Sequence, residues 1–436
     1  MEKHNLSFYG PALMWRTNKG KNFINRVSKK KKFWLAYANV GIVACFILMI
    51  LMFLLLISTF PIAIQQEDTI VSSHPEIALA LPGLNPIIPL GYGIIAFVIA
   101  LVVHEFSHGI LASAQKLKVK SLGILYFIIP IGAFCEPDEE KLKKASNKKR
   151  MRVFAAGPTA NLAVAFICLA ICSIMIFSCV QPAADGVGVF SVGEGMPAEE
   201  LGLEQGMIIT SINGSEVTDI ATFEKALDNT SANQTVEITY VSRTEMYTGD
   251  VKLANKYQIY YNAIEEEFGE VNSTYAKLIE KYRGKGYLGV SATTQFKSDI
   301  NILKNPFSYF PFGFIYYIGM PLFGLMDGYS ALNEPFSDFY VVNGLPQDAF
   351  WIVVNIFYWI FWFNFMVATF NVLPMIPLDG GYMFGDLVDI ILKKLKTSIS
   401  KERREKIITN ISTVLSLFIL MLILAPIIVP NIRVLF

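Results

Sequence analysis

His104-Glu105-Phe106-Ser107-His108 sets two imidazoles four residues apart, with a carboxylate beside the first. On a helix, positions i and i+4 share one face, so both rings can hold a single metal ion. Glu105 then stands where it can activate a water bound to that ion. The chain has four histidines, and half of them are spent on this pattern. The surrounding residues are apolar, and an ionisable group at bilayer depth is costly enough to be kept mainly for a function. The alternative is a pair of rings packed against backbone carbonyls. That leaves Glu105 a buried, uncompensated carboxylate, which is an expensive arrangement.

A catalytic zinc typically keeps three protein ligands and one open position for water. Asp379 is the candidate third ligand, in Asn371-Val-Leu-Pro-Met-Ile-Pro-Leu-Asp379-Gly-Gly381, where Pro and Gly interrupt an apolar run. Broken backbone at membrane depth is tolerated where it lines a cavity or is buried in protein. The alternative is a plain helix cap with Asp379 turned to the surface. Asn161, in Ala155-Ala-Gly-Pro-Thr-Ala-Asn161, carries an amide that can donate to a developing oxyanion. Its small neighbours also read as a surface for close helix packing, and spacing alone leaves both readings open. Two histidines and a carboxylate with an open position favour zinc among divalent ions. The five cysteines form no C-x-x-C, and four lie in apolar runs, so they read as small buried hydrophobes.

The elements that must carry these groups are membrane helices. Charged residues make up only 17% of the 436, below the roughly 25% of an ordinary soluble domain. The net charge of +1 gives no electrostatic footprint for nucleic acid. Apolar runs cover about Phe33–Ile64, Pro89–Leu111, Val153–Val180, Phe307–Leu325, Ala349–Ile376 and Ile407–Val429. The first follows Lys29–Lys32 without a small-residue cleavage site and reads as a retained helix. The N-terminal segment, Lys116–Arg152 and Lys393–Lys406 are basic, which assigns them to the cytoplasm. Gln65–Pro86 holds no Lys or Arg and falls outside, as does Gln181–Pro306. Phe307–Leu325, rich in Gly, Pro and aromatics, must be re-entrant for the basic loops to share one side. This topology brings the ends carrying His104 and His108, Asn161 and Asp379 to one depth near the inner face.

Two further segments punctuate the bundle. Ser121–Cys135 is apolar, rich in strand formers and too short for an ordinary span. It reads either as an interfacial hairpin or as an edge strand able to take up an unwound peptide. Between the third and fourth runs, Gly186–Val192 reads as a strand and Pro197 opens a brief helix. A further strand ends in Asn213-Gly214, Thr222–Ala226 opens a second helix and Thr235–Val241 alternates as a strand.

His104-Glu-x-x-His108, Gly157-Pro-x-Ala-Asn161 and Asn371-x-x-Pro374-x-x-Pro377-Leu-Asp379-Gly-Gly381, in this order, resemble the site-2 protease family of intramembrane zinc metalloproteases. The resemblance covers roughly Leu90–Leu387. It implies Zn2+ held by His104, His108 and Asp379, Glu105 as the base, and Asn161 near the scissile bond. It further implies cleavage within transmembrane segments of other membrane proteins, often after a first cut by another protease, and favours the edge-strand reading of Ser121–Cys135. Gly186–Gly214 resembles a PDZ domain, closed by Gly286-Tyr-Leu-Gly-Val290 and interrupted by an insertion over Glu245–Gly284 that holds a helix around Thr274–Arg283. Such a module captures a peptide or substrate ectodomain, or acts as a steric filter.

The expected fold is a polytopic α-helical membrane protein of five to six transmembrane segments in the lipid bilayer, with an inserted α+β PDZ-like domain. Residues 1–180 and 301–436 form the membrane parts, and 181–300 the extracytoplasmic insert. Outside hydrolysis, a scaffold of the same fold or an intramembrane metal transporter would use the same residue types.

Overall fold

The computed structural model describes residues 6–9, 12–17, 20–65, 75–78, 81–126, 130–326, 332–395 and 399–433. Parts of the expected outer loop 65–86, of the segment after the fourth run and of the basic connection 393–406 lie outside these. In chain order the main elements begin with β1 (Leu6–Tyr9), β2 (Ala12–Thr17), α1 (Lys31–Gln65) and α2 (Leu90–Ala114). Then follow β3 (Val119–Tyr126), β4 (Pro130–Pro137), α3 (Asn147–Phe154), α4 (Ala156–Cys179), β5 (Val180–Pro182) and β6 (Val187–Val192). Next come β7 (Ile208–Ile212), α5 (Ile220–Asp228), β8 (Thr235–Ser242), β9 (Glu245–Lys252), α6 (Lys256–Phe268), α7 (Ser273–Ile279) and β10 (Val290–Thr293). The chain continues through α8 (Gln295–Lys304), α9 (Phe312–Met326), β11 (Tyr340–Val342), α10 (Gln347–Asn371), α11 (Asp379–Leu395) and α12 (Lys401–Arg433).

Among the described residues, five helices are long and apolar enough to cross a membrane: Lys31–Pro61, Leu90–Ala114, Asn147–Cys179, Gln347–Asn371 and Lys401–Val429. At about 1.5 Å per residue even the shortest exceeds the roughly 30 Å hydrocarbon core. Their outer surfaces are apolar: Val40, Leu54, Ile174, Phe177 and Val414 are all more than half exposed. That surface suits lipid, and the chain is a multi-pass membrane protein. The fourth apolar run forms α9, whose 15 residues reach only about 22 Å, short of a full crossing. The fifth was expected to continue to Ile376, but its helix stops at Asn371. Pro374 and Pro377 cannot extend it, lacking the N–H that the ladder needs.

The chain divides into two compact units, residues 1–169 with 356–436, and residues 170–355. In the first, β1 to β4 make a four-stranded antiparallel sheet in sequential order, with β4 at an edge. Ser121–Cys135 therefore forms a hairpin, and one of its strands is also an edge strand. The N-terminal pair β1–β2 was not foreseen, because both strands are short and β2 finds its second partner, β3, about a hundred residues away.

In the second unit, a sheet in the order β9-β8-β7-β6-β10 packs against α5. Val189, Ile209, Val236 and Ile238 pack with Phe223 and Leu227 of α5 in its core. Asn213 and Gly214 both take positive φ in the turn after β7, the conformation that an Asn-Gly pair tolerates. The expected insertion begins later than the sequence suggested. Glu245–Lys252 is the regular partner of β8 in full register, and the added part is the helical pair α6–α7. Strand β9 was missed because it is largely exposed and so lacks a one-sided apolar alternation. Within the same unit, Phe190 stacks on Phe336 and Phe296 on Phe339, while Arg243 bonds Glu334 and Asp338. The sheet is thus fastened to the segment that leads into α10.

Candidate metal centre and peptide groove

The two histidines fall in the last turns of α2, four residues apart, with their Nε2 atoms on one face. Helix α4 crosses that face at Gly157. A Cβ there would stand 2.6 Å from the Nε2 atoms of both His104 and His108, so only glycine permits this approach. Asp379 opens α11, immediately after the irregular stretch 372–378. Its Oδ2 lies 3.1 Å from His104 Nε2 and 3.3 Å from His108 Nε2. The Gly-Gly that follows is a packing requirement: a Cβ on Gly380 would meet the Val372 carbonyl at 2.1 Å, and one on Gly381 the Met375 backbone at 2.6 Å. Asp379 can therefore enter the site only because its helix begins flush against the broken loop.

Hydrogen bonds behind the rings fix which nitrogen faces inward. His108 Nδ1–H donates to the Val153 carbonyl at 2.7 Å. Asn161 Nδ2 donates to the Ala100 carbonyl at 3.1 Å and to Asn364 Oδ1 at 3.2 Å, while Asn364 Nδ2 donates to the Ile360 carbonyl at 2.8 Å. With its donors committed, Asn161 presents Oδ1 to His104 Nδ1 at 3.2 Å, which must be the protonated nitrogen. Both Nε2 atoms then turn lone pairs toward Asp379. Opposed acceptors at this distance repel unless a cation or protons lie between them.

The ligand atoms of His104, His108 and Asp379 lie within 4.8 Å of one another, and Asp379 Oδ2 is buried without a hydrogen-bond partner. These residues fit a metal ion, with the ring-orienting hydrogen bonds that metal-binding histidines generally show. Glu105 stands on the sheet side of α2, where its Oε2 accepts the Cys135 amide at 2.7 Å. The edge strand β4 and the candidate base are thus directly joined.

The structure brings together all five residues singled out in the sequence, with Asn161 one step back from Asp379, behind His104. Sequence reasoning missed the Val153 carbonyl, which no side-chain motif could signal. It also missed Asn364, although an amide among the aromatics of α10, fully buried, is the costly kind of membrane residue that marks a site.

The second unit holds a groove between α5 and β10. A cavity of about 210 Å³ is lined there by Phe223, Leu227, Lys256, Tyr260, Tyr287 and Gly289, among others. Among the described residues, β10 pairs only with β6, so its other edge is unpaired in the sheet. Lys256 and Tyr260 come from the inserted helix α6, which extends the groove rather than removing it.

A model of peptidase family M50 matches residues 92–419. An uncharacterised protein of Methanocaldococcus jannaschii is 27% identical over 418 residues, spanning 95% of this chain and 86% of that protein. A Clostridium perfringens protein provisionally named a zinc metalloprotease is 26% identical over 325 residues, 72% of this chain and 88% of its own length. The solved PDZ domain of an SdrC-like protein from Listeria monocytogenes is 21% identical and covers 26% of this chain and 93% of that domain, with a TM-score of 0.18.

Proposed function

The chain belongs to peptidase family M50, the site-2 protease family, and from that premise we propose that it is a zinc-dependent protease acting on peptide bonds within or beside the transmembrane segments of other membrane proteins. The observation that carries the reading is the buried Oδ2 of Asp379 facing two imidazole Nε2 atoms, at the junction of helices apolar enough to lie in lipid. His104, His108 and Asp379 are the ligands that would hold the ion. Bound there, zinc supplies the Lewis acidity that makes water nucleophilic near neutral pH and polarises a carbonyl.

The chain's own residues do the rest. Glu105 takes the proton released on attack and delivers it to the leaving amine. The Cys135 amide holds one oxygen of that carboxylate and so orients it. The Val153 carbonyl and Asn161 Oδ1 keep both imidazoles in the tautomer that points Nε2 inward. Asn161 acts through His104 as a positioning residue, since its Nδ2 is already engaged by Ala100 and Asn364. A substrate helix hides its peptide bonds, so it must unwind, and the unwound segment adds to the edge of β4. Helix-breaking residues near the cut therefore favour cleavage.

The basic connections favour a site near the cytoplasmic face and an insert on the other side, by the positive-inside rule. In that insert, the α5–β10 groove takes an extended peptide by strand addition. Lys256 attracts a terminal carboxylate, and Phe223 with Leu227 receives an apolar last side chain.

The test is cleavage of a tagged membrane-spanning substrate by the purified protein and by Glu105→Gln, with zinc measured on both. Cleavage by the unaltered protein, lost in a variant that retains zinc, supports the assignment. Zinc on both with no cleavage of any substrate in a panel would turn the reading toward a scaffold. Metal flux surviving Glu105→Gln would turn it toward a transporter. Absence of zinc from both would overturn the ligand set.

A further inference from the structure

Beyond the metal centre, α3 and α11 face each other along matched stripes. On α11, Asp379, Tyr382, Asp386, Asp389 and Lys393 follow one another at intervals of three, four, three and four residues, which keeps them on one face of a helix. On α3, Asn147, Arg150 and Phe154 follow at three and four. The two stripes pair in antiparallel order. Phe154 stacks on Tyr382, with ring centroids 4.8 Å apart and planes 14° from parallel. Arg150 Nε donates to Asp386 Oδ1 at 2.8 Å and Oδ2 at 3.2 Å, and Nη2 also contacts Oδ1. Asn147 Nδ2 donates to Asp386 Oδ1 at 3.1 Å and Asp389 Oδ2 at 2.8 Å. Lys393 and Arg404 close the far end on Asp389, each at 2.6 Å.

The same short helix holds the other side of the metal centre. The Val153 carbonyl, one residue before Phe154, takes the His108 proton, and the Lys149 carbonyl accepts Gln115 Nε2 from the end of α2 at 3.1 Å. α3 therefore grips the helix of two ligands, His104 and His108, through backbone carbonyls and the helix of the third through the Arg150 fork. The Asp386 side chain is only 4% exposed, so this pair lies where a planar, bidentate partner matters most.

We propose that Arg150 is a positioning residue of the metal centre: by gripping Asp386 two helical turns beyond Asp379, it sets the register in which that carboxylate meets His104 and His108. No step of the reaction passes through Arg150. The inference deepens the zinc reading and rests on it. A one-residue rotation of α11 turns Asp379 by about 100°, enough to remove it from the site.

The experiment separates positioning from mere support. Arg150→Met, Asp386→Leu and the double variant are prepared as full chains in detergent, and zinc affinity is titrated against a competing chelator alongside thermal melting. The single variants strand a buried charge and are expected to melt lower. The double variant removes the charge together with its partner, which buried pairs generally tolerate, and is expected to recover its melting temperature. Its zinc affinity should nonetheless stay roughly 10–100-fold weaker, the usual loss when an orienting partner goes.

A double variant that melts and binds zinc as the unaltered protein does would overturn the proposal. If the double variant does not fold, Arg150→Lys serves, since it keeps the charge and loses the fork. Weakened zinc binding with unchanged melting supports positioning, and unchanged zinc binding refutes it. Failure of the unaltered protein to bind zinc would instead refute the underlying zinc reading, so the two failures are distinguishable.

Discussion

Gly157 and His104 approach so closely that a single added methyl on the glycine would stand 2.6 Å from the imidazole Nε2. Gly157→Ala should therefore displace both rings without harming the helix, where alanine is the better former. The expected result is zinc affinity at least about tenfold weaker, the scale of a disturbed ligand geometry, with the metal-free melting temperature unchanged or higher. Chelator competition and thermal melting on one preparation check it.

The two readings of Asn161 predict different kinetics. As a positioner of His104, its replacement by Ala should weaken zinc binding by roughly 10–100-fold. Saturating zinc should then restore most of the turnover. As a donor to the oxyanion, it would leave zinc affinity alone and lower turnover by about 100–1000-fold. A zinc titration of cleavage rate decides between them.

In the PDZ-like unit, Lys256 lines the groove beside Tyr260 and Tyr287. Lys256→Glu should weaken binding of a labelled peptide ending in a free carboxylate by about tenfold. The same peptide with an amidated C-terminus should bind weakly to both proteins. Fluorescence polarisation with the full chain in detergent tests this, and equal binding of the free and amidated peptides would assign the groove to a filter.

Acid should loosen the end of the α3–α11 stripe. Burial by itself would raise the Asp389 carboxyl, but Lys393, Asn147 and Arg404 hold it below its ordinary value, which is about 3.9. A carboxyl lowered in the folded state contributes stability that is full above the ordinary value and is lost as pH falls through the lowered one. Melting temperature followed from pH 7 downward should drop below about pH 4, and Asp389→Asn should show a smaller drop over the same window.

The membrane helices and the meeting of His104, His108 and Asp379 were legible because each leaves a local signal: an apolar run, an i, i+4 pair, a Pro- and Gly-rich break. Loop charge then brought distant segments to one depth without any contact being known. What escaped was whatever depends on the partner rather than the residue. Strand β2 has meaning only beside β3, and β1 only beside β2, while the Val153 carbonyl is invisible to any side-chain motif. Asp386 and Arg150, taken one at a time, carry no more signal than ordinary charges. Their three-and-four spacing was present in the sequence, but most of the short α3 lay within the basic connection Lys116–Arg152 and was read only as loop charge. The departure placed at Glu245 failed for a related reason, since an exposed hairpin strand presents no buried face to recognise.

On the proposed function, the bond from the Cys135 amide to Glu105 gives the protein a ruler. A peptide laid along the edge of β4 can shift its pairing only in steps of two residues if the same side chains are to keep facing the same way. Glu105, the proposed proton acceptor, is tied to one rung of that ladder. Where a substrate is cut would then be counted from its alignment on the strand rather than read from the identity of the residues at the cut. Secondary cuts would fall two residues, about 6.8 Å of extended chain, to either side of the first.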